Sequence, residues 1–386
     1  MKCRTYFKLV LGLFLTCTAI FVEPSPAVAV DLVIDTDTGI DDATAIVWLL
    51  SQSDYPVNIL GIGTVFGNTS SLSAANNVLT VLDATRRRGI PVAVGAPEPI
   101  SQPLNAGPLL GLRAPALLHG MDGLWQIGLQ HPHAARDFDS RDAPTLYRDL
   151  GNEHPGATLL ALGPLTNLAL AFSGYPDAMR RYERIVIGAA AKYGGNRTPS
   201  GEYSLWQDPE ALNIVLSSRL GPEIIVLPLD SFQKFSLDLD DVHALCDKGR
   251  DALKFICPAL TTYVGNQLGP LIGQTRAWIP DVATAIYAMD SSLGTVQSGL
   301  IKAIEGDGIM RGHTEIALTL LERITLIASD SELNRLTESI FLDPSSYVAG
   351  VAGLLTREPD NATVVVDIDT QKMHELFRRA VTVNQD

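Results

Sequence analysis

Four carboxylates fall within eight residues in the run Asp35-Thr36-Asp37-Thr38-Gly39-Ile40-Asp41-Asp42. An apolar stretch, Leu32-Val33-Ile34, precedes it, and a second, Ala43 to Leu50, follows. Residues two apart on a strand share a face, so Asp35 and Asp37 project the same way if the strand runs that far. Gly39 permits a sharp turn. Asp41 and Asp42 then open a helix, whose dipole favours negative charge there by ~0.3–1 kcal/mol each. Capping accounts for one of these aspartates, not four. Like charges this dense repel, and a bound cation is the simplest way to neutralise them. Carboxylate oxygens without thiolate or imidazole select a hard ion, Ca2+ or Mg2+. The bland alternative is a capped helix on a solvated acidic turn.

Two other motifs compete for the same run. A calcium loop of the EF-hand type needs Gly at its sixth position and an acid at its twelfth. Counted from Asp35, the fifth residue is Gly39 and the twelfth is Ile46, so that pattern fails. A strand followed by Asp35-x-Asp37 also resembles the nucleophile motif of haloacid-dehalogenase phosphatases. That class lacks the Asp41-Asp42 pair at this spacing, which makes a metal-dependent phosphatase the runner-up.

The joint order of several segments resembles the inosine-uridine-preferring nucleoside hydrolase family. Asp35, Asp37, Gly39, Asp41 and Asp42 match its opening D-x-D-x-G-x-D-D. Gly67-Asn68, His119-Gly120-Met121-Asp122-Gly123-Leu124 and Leu162-Gly163-Pro164-Leu165-Thr166-Asn167 match later motifs in the family's order. Asn196, Glu202 and Asp208-Pro209-Glu210-Ala211 follow, and Asp281 stands where the family has a late aspartate. The resemblance runs from Asp31 to about Val381.

The resemblance implies a Ca2+ site made by Asp37, Asp42, Asp281 and the backbone carbonyl of Leu162. It implies ribose and substrate contacts from Asp41, Asn68, His119, Asn196, Glu202, Ser204 and Asp281. Asp37 and Asn196 are the expected catalytic residues. The implied reaction is hydrolysis of the N-glycosidic bond of a ribonucleoside, giving ribose and free base. The chemistry is consistent: glycosidic cleavage passes through an oxocarbenium-like sugar, which surrounding carboxylates stabilise. A nucleoside-binding protein of the same fold with little turnover is a further alternative.

The chain departs from the family pattern at three places. Ser204 stands where the family has Asn. Ile187-Gly188-Ala189 replaces its M-G-G. Pro280 stands before the late aspartate, where many members have a His that protonates the departing base. Without that acid a purine is the easier leaving group, because solvent can protonate its ring nitrogen. Trp125, Trp206 and Trp278 lie beside site motifs and are candidates to stack on a base. The expectation is a purine preference.

The elements that must position these residues alternate. Ile59 to Val65, Pro91 to Val94, Ala157 to Leu162, Arg184 to Ile187 and Glu223 to Leu227 read as buried strands. Ala43 to Leu50 and Leu72 to Arg88 read as helices, and Val364 to Asp367 and Gln371 to Val381 as a last strand and helix. The fold class is therefore α/β, a largely parallel central sheet with helices on both faces. Pro97 to Pro115 reads as a surface loop, and Asp137 to Pro155 as a polar stretch leading into the next strand.

Lys2, Arg4 and Lys8, the apolar run Leu9 to Val22 and Ala27-Val28-Ala29 have the order of a secretory signal peptide over residues 1–29. Residues 30–386 then form a single domain, secreted or periplasmic, with no membrane association once the leader is cleaved. The chain has 29 basic and 43 acidic residues, a net charge of −14. Losing Lys2, Arg4, Lys8 and Glu23 takes the net charge to about −16, which disfavours nucleic acid as a partner. The expected partner is a small nucleoside, with a homo-oligomer left open. Cys246 and Cys257 remain after cleavage and are read as either a disulfide or two buried thiols. No Cys/His cluster suggests zinc.

Overall fold

The computed structural model describes residues 29–101, 114–130, 137–218, 221–270 and 272–382. Nearly all of the expected leader, and residues 102–113 of the expected Pro97–Pro115 loop, lie outside them. The strands are β1 (Val30–Thr36), β2 (Val57–Thr64), β3 (Val92–Val94), β4 (Thr158–Ala161), β5 (Arg184–Ile187) and β6 (Glu223–Val226). They continue with β7 (Ser236–Leu237), β8 (Ala277–Trp278), β9 (Gly294–Ala303), β10 (Thr314–Ala317) and β11 (Ala362–Ile368).

One sheet runs in the order β10-β9-β11-β6-β5-β4-β1-β2-β3, and β7 pairs separately with β8. Every neighbouring pair from β11 to β3 is parallel. At the other edge β9 runs antiparallel to β11, and β10 antiparallel to β9. The largely parallel α/β sheet expected from the strand–helix alternation is the fold observed.

β1 shows why its sequence is an unbroken apolar run. Leu32 and Ile34 are buried in one apolar cluster and Val33 in another. Successive side chains point to opposite faces, so both faces of β1 are covered and no polar alternation survives. The helix after it, α1 (Ile40–Leu50), is buried along almost its whole length. Next come β2 and α2 (Ser71–Ala84), whose N-cap Ser70 accepts from the backbone N–H of Ser73 at 3.2 Å.

The chain leaves β1 for β2 and β3 on one side and returns with β4 on the other. Strand order therefore reverses between β1 and β4. The crevice beyond the carboxyl ends of such a pair is where open α/β sheets bind ligands.

Two readings of the sequence need correction or completion. The polar stretch from Asp137 to Pro155 contains a helix, Ala143–Glu153, N-capped by Asp142. Its Leu146, Tyr147 and Leu150 are buried at helical spacing, a signal that the charges between them obscured. The two cysteines are resolved in favour of pairing: Cys246 and Cys257 form a disulfide between the helices Leu239–Asp247 and Asp251–Leu268.

Candidate active site

A cavity of about 400 Å³ opens at the β1–β4 crevice. Asp37 reaches it from the β1–α1 turn, Asp41 from the first turn of α1, Asn68 from the loop after β2 and Leu162 from just beyond β4. Gly188 borders it beyond β5. Asn196, Glu202 and Ser204 enter from the following segment, and Asp281 from the helix Pro280–Met289. His119 lines it from the end of the helix α3 (Ala114–His119). Of the metal, ribose and catalytic residues that the resemblance implied, Asp42 alone is not in the lining, and it is fully buried.

Asp41, Asp42 and Asp281 place carboxylate oxygens within 4.8 Å of one another. Asp42 accepts from the Thr36 hydroxyl at 2.5 Å, the Gly39 backbone N–H at 2.9 Å and the Asn68 amide at 3.2 Å. Asp37 is held by Asn68 alone among described side-chain partners. The Asn68 backbone N–H donates to Oδ2 at 2.7 Å and its Nδ2 to Oδ1 at 3.1 Å. Gly67 makes room for this grip, since a Cβ there would lie 1.9 Å from Asp37 Oδ2. The tight group thus differs from the expected metal set in one member: Asp41, expected on the ribose, joins Asp42 and Asp281, and Asp37 stands beside them.

These carboxyls all titrate high. Burial first, and the charge of Asp42 second, hold Asp37 well above the usual carboxylate range. Burial and then the Asp41 charge raise Asp42 and Asp281. Burial pushes Asp41 up to about 6, against a hydrogen bond from Tyr263. Among the described residues no Lys or Arg forms an ion pair with any of the four; the one basic neighbour is His119, 3.8 Å from Asp41. Asp41 Oδ1 is buried without a hydrogen-bond partner. Buried, mutually repelling oxygen donors with an unpartnered oxygen fit a hard divalent cation.

Glu202 caps the helix Tyr203–Gln207. Its carboxylate accepts from the backbone N–H groups of Ser204 at 3.0 Å, Leu205 at 3.2 Å and Ala190 at 3.3 Å. Burial still pushes it up to about 7. Asn196 Oδ1 accepts from the Tyr203 N–H at 2.8 Å, and the Tyr203 hydroxyl donates to the Gly67 carbonyl at 2.9 Å. The segment carrying Asn196, Glu202 and Ser204 is thereby tied to the loop that grips Asp37.

Asp35 does not belong to the site. It is fully buried, and its Oδ2 accepts from Tyr147 and, at 2.7 Å, from Asn167. β1 ends at Thr36, so Asp35 and Asp37 do not share a surface. A phosphatase nucleophile must reach substrate, and Asp35 lies outside the cavity lining. Of the three tryptophans only Trp278 lines the cavity. Trp206 sits under the guanidinium of Arg197 at 4.2 Å, and Trp125 donates to the Leu118 carbonyl at 2.7 Å.

Sequence reasoning missed Tyr263, which donates to Asp41 Oδ2 at 3.0 Å and lies 5.1 Å from the His119 ring. Tyr263 and Gln267 are four apart on the helix Asp251–Leu268 and both line the cavity. That i, i+4 polar pair within an otherwise apolar stripe was the available signal.

Similarity to known proteins agrees with this geometry. A probable uridine nucleosidase of Oryza sativa subsp. japonica is 32% identical over 294 residues, covering 75% of this chain and 82% of the relative. A pyrimidine-specific ribonucleoside hydrolase of Salmonella arizonae is 29% identical over 267 residues, covering 69% and 82%. Among solved structures, a plant nucleoside hydrolase superposes with a TM-score of 0.74 at 25% identity, covering 92% of this chain and 99% of that one. The family described as inosine-uridine preferring nucleoside hydrolase matches residues 32–375, and the chain belongs to that family as a nucleoside N-ribosyl hydrolase.

Proposed function

We propose that the protein is a calcium-dependent enzyme that hydrolyses the N-glycosidic bond of ribonucleosides. The observation that carries this is the group of four buried carboxylates around one cavity with no Lys or Arg paired to them among the described residues. Asp37, Asp42, Asp281 and the Leu162 carbonyl would hold the ion, with Asp41 in reach of it. When bound, Ca2+ supplies orientation of the ribose hydroxyls and a water of lowered pKa.

The chain's own residues supply the rest. Asn68 fixes the Asp37 carboxylate, which takes a proton from the attacking water. Asp41 and Glu202 accept hydrogen bonds from the ribose hydroxyls. Asn196, with its Oδ1 engaged by Tyr203, turns its amide N–H toward the sugar. The surrounding negative charge stabilises the oxocarbenium-like ring as the base departs.

Two observations bear on base choice. Pro280 has no proton to give, and Trp278 offers a face for stacking, which favours a purine. The curated relatives named above are a uridine nucleosidase and a pyrimidine-specific hydrolase, which favours a pyrimidine. Ribose release from inosine and uridine, with and without a chelator, tests the whole reading. Activity untouched by the chelator would remove the metal from it, and kcat/KM for uridine at or above that for inosine would remove the purine preference.

Export to a secreted or periplasmic location belongs to the same proposal, as does assembly of copies of the chain. The Cys246–Cys257 disulfide supports an oxidising compartment. N-terminal sequencing of the exported protein and its sedimentation behaviour test these two points.

A further inference from the structure

We infer that the Tyr203 hydroxyl is a positioning group for Asp37, acting through the peptide unit between Gly67 and Asn68; this rests on the nucleosidase reading above. That one unit makes two hydrogen bonds in opposite directions. Its carbonyl oxygen, on Gly67, accepts from the Tyr203 hydroxyl at 2.9 Å. Its N–H, on Asn68, donates to Asp37 Oδ2 at 2.7 Å. A trans peptide unit is planar, and its C=O and N–H point opposite ways. Pinning the oxygen therefore aims the N–H at the carboxylate that takes the proton.

The unit needs a restraint from outside. Its orientation turns on ψ of Gly67 and φ of Asn68, and glycine restricts its own rotation less than any other residue. A stiffer residue cannot take that place, since a Cβ on Gly67 would lie 1.9 Å from Asp37 Oδ2. Tyr203 supplies the restraint from the helix Tyr203–Gln207, and it lines the same cavity as Asp37. A hydrogen bond accepted by the carbonyl also polarises the amide and strengthens the bond that its N–H donates. The Tyr203 backbone is fixed in turn by two residues assigned to the sugar. Asn196 Oδ1 accepts from its N–H at 2.8 Å, and Glu202 caps the helix that it opens. This restraint is separate from the Asn68 side chain, whose Nδ2 meets the other Asp37 oxygen.

The test is Tyr203→Phe, with 4-aminophenylalanine at the same position as the rescue, assayed on uridine and inosine with calcium in excess. Phe keeps the ring and removes the donor; the aromatic amine keeps both. Tyr203→Phe should lower kcat about three- to tenfold, the worth of one neutral hydrogen bond, and leave KM within about twofold. The amine should return kcat to within about twofold of wild type. Circular dichroism sets the folded fraction, and kcat is taken per folded molecule. An unchanged kcat in Tyr203→Phe overturns the inference, and so does a loss confined to KM or a kcat that the amine fails to restore. A Tyr203→Phe chain that no longer folds assigns the hydroxyl to the fold and overturns it too. A wild type that releases ribose from neither substrate overturns the nucleosidase reading itself, and this inference with it.

Discussion

The backbone N–H of Ile40 donates to Nδ1 of His119 across 3.1 Å. Ile40 is the first residue of α1, so the imidazole receives the positive end of a helix. With Nδ1 committed as an acceptor, the neutral ring carries its proton on Nε2. Burial lowers its pKa to about 4. The 3.8 Å approach of Asp41 is therefore a contact with a neutral ring and not an ion pair.

His119 should make the fold sensitive to acid. Its pKa is about 4 in the folded chain against an ordinary 6.5. Between those values the unfolded chain binds the extra proton, so stability falls as pH drops through the window. The difference is on the order of 3 kcal/mol by pH 4. His119→Asn keeps an acceptor for Ile40 and loses the titration. Urea unfolding at pH 7 and pH 4.5 should show a larger loss in wild type than in the variant; equal losses would remove His119 from the account.

Asp37→Asn should lower turnover by at least ~10²-fold, the low end for general base catalysis, with a smaller change in substrate binding. The Asn68 grip supplies a second check. Asn68→Ala frees the same carboxylate, so kcat should fall there too while the carboxylate remains able to take a proton. Single-turnover rates separate this from a change in affinity. An unchanged kcat for Asp37→Asn would move the role of base to another residue.

Asp42→Asn should abolish tight calcium binding and nearly all activity while preserving the fold. The amide keeps the shape that meets Gly39 and Thr36. Metal analysis of both purified proteins, beside their circular dichroism, checks it. A variant that retains a full equivalent of calcium would refute the role of Asp42.

Calcium affinity should fall with acidification. Burial raises Asp41 to about 6 and holds Asp37 and Asp281 well above the usual carboxylate range. The ion binds the deprotonated carboxylates and displaces their protons. Binding is thus strongest well above pH 6 and about tenfold or more weaker at pH 5 than at pH 8. Calorimetric titration at the two values measures this, and a pH-independent affinity would argue against these ligands.

Replacing both Cys246 and Cys257 by Ala should cost about 2–3 kcal/mol, the range for a short covalent loop. Neither cysteine lines the cavity, so ribose release at 25 °C should persist. Denaturant midpoints with and without reductant give the comparison.

The parts of the fold legible in the sequence were the local ones. The β1–α1 turn announces itself because strand, acids, glycine and helix are contiguous. Asp281, Leu162 and Asn196 were placed only through resemblance, since strand order decides which chain ends meet and that order is non-local. Four acids in a row suggested one cluster, yet Asp35 turns to Tyr147 and Asn167 because β1 ends at Thr36. Trp206 was a reasonable stacking candidate by position, but the Arg197 guanidinium occupies its face. β9 escaped notice because its first half, through Ser298, is largely exposed and lacks a strict alternation.

The place of β1 in the sheet also sets an order of events during synthesis. β1 is the first of the described strands to be made, and it lies between β2, the next strand in the chain, and β4, at Thr158–Ala161. One edge of β1 therefore waits unpaired until the chain has been made as far as β4. The acidic turn beyond it waits longer, until the helix bearing Asp281 docks. Contacts this far apart in sequence make folding slow. A divalent ion held by these carboxylates would gain its full set of oxygens only at the end of that process, so it would stabilise the finished fold without hastening its assembly.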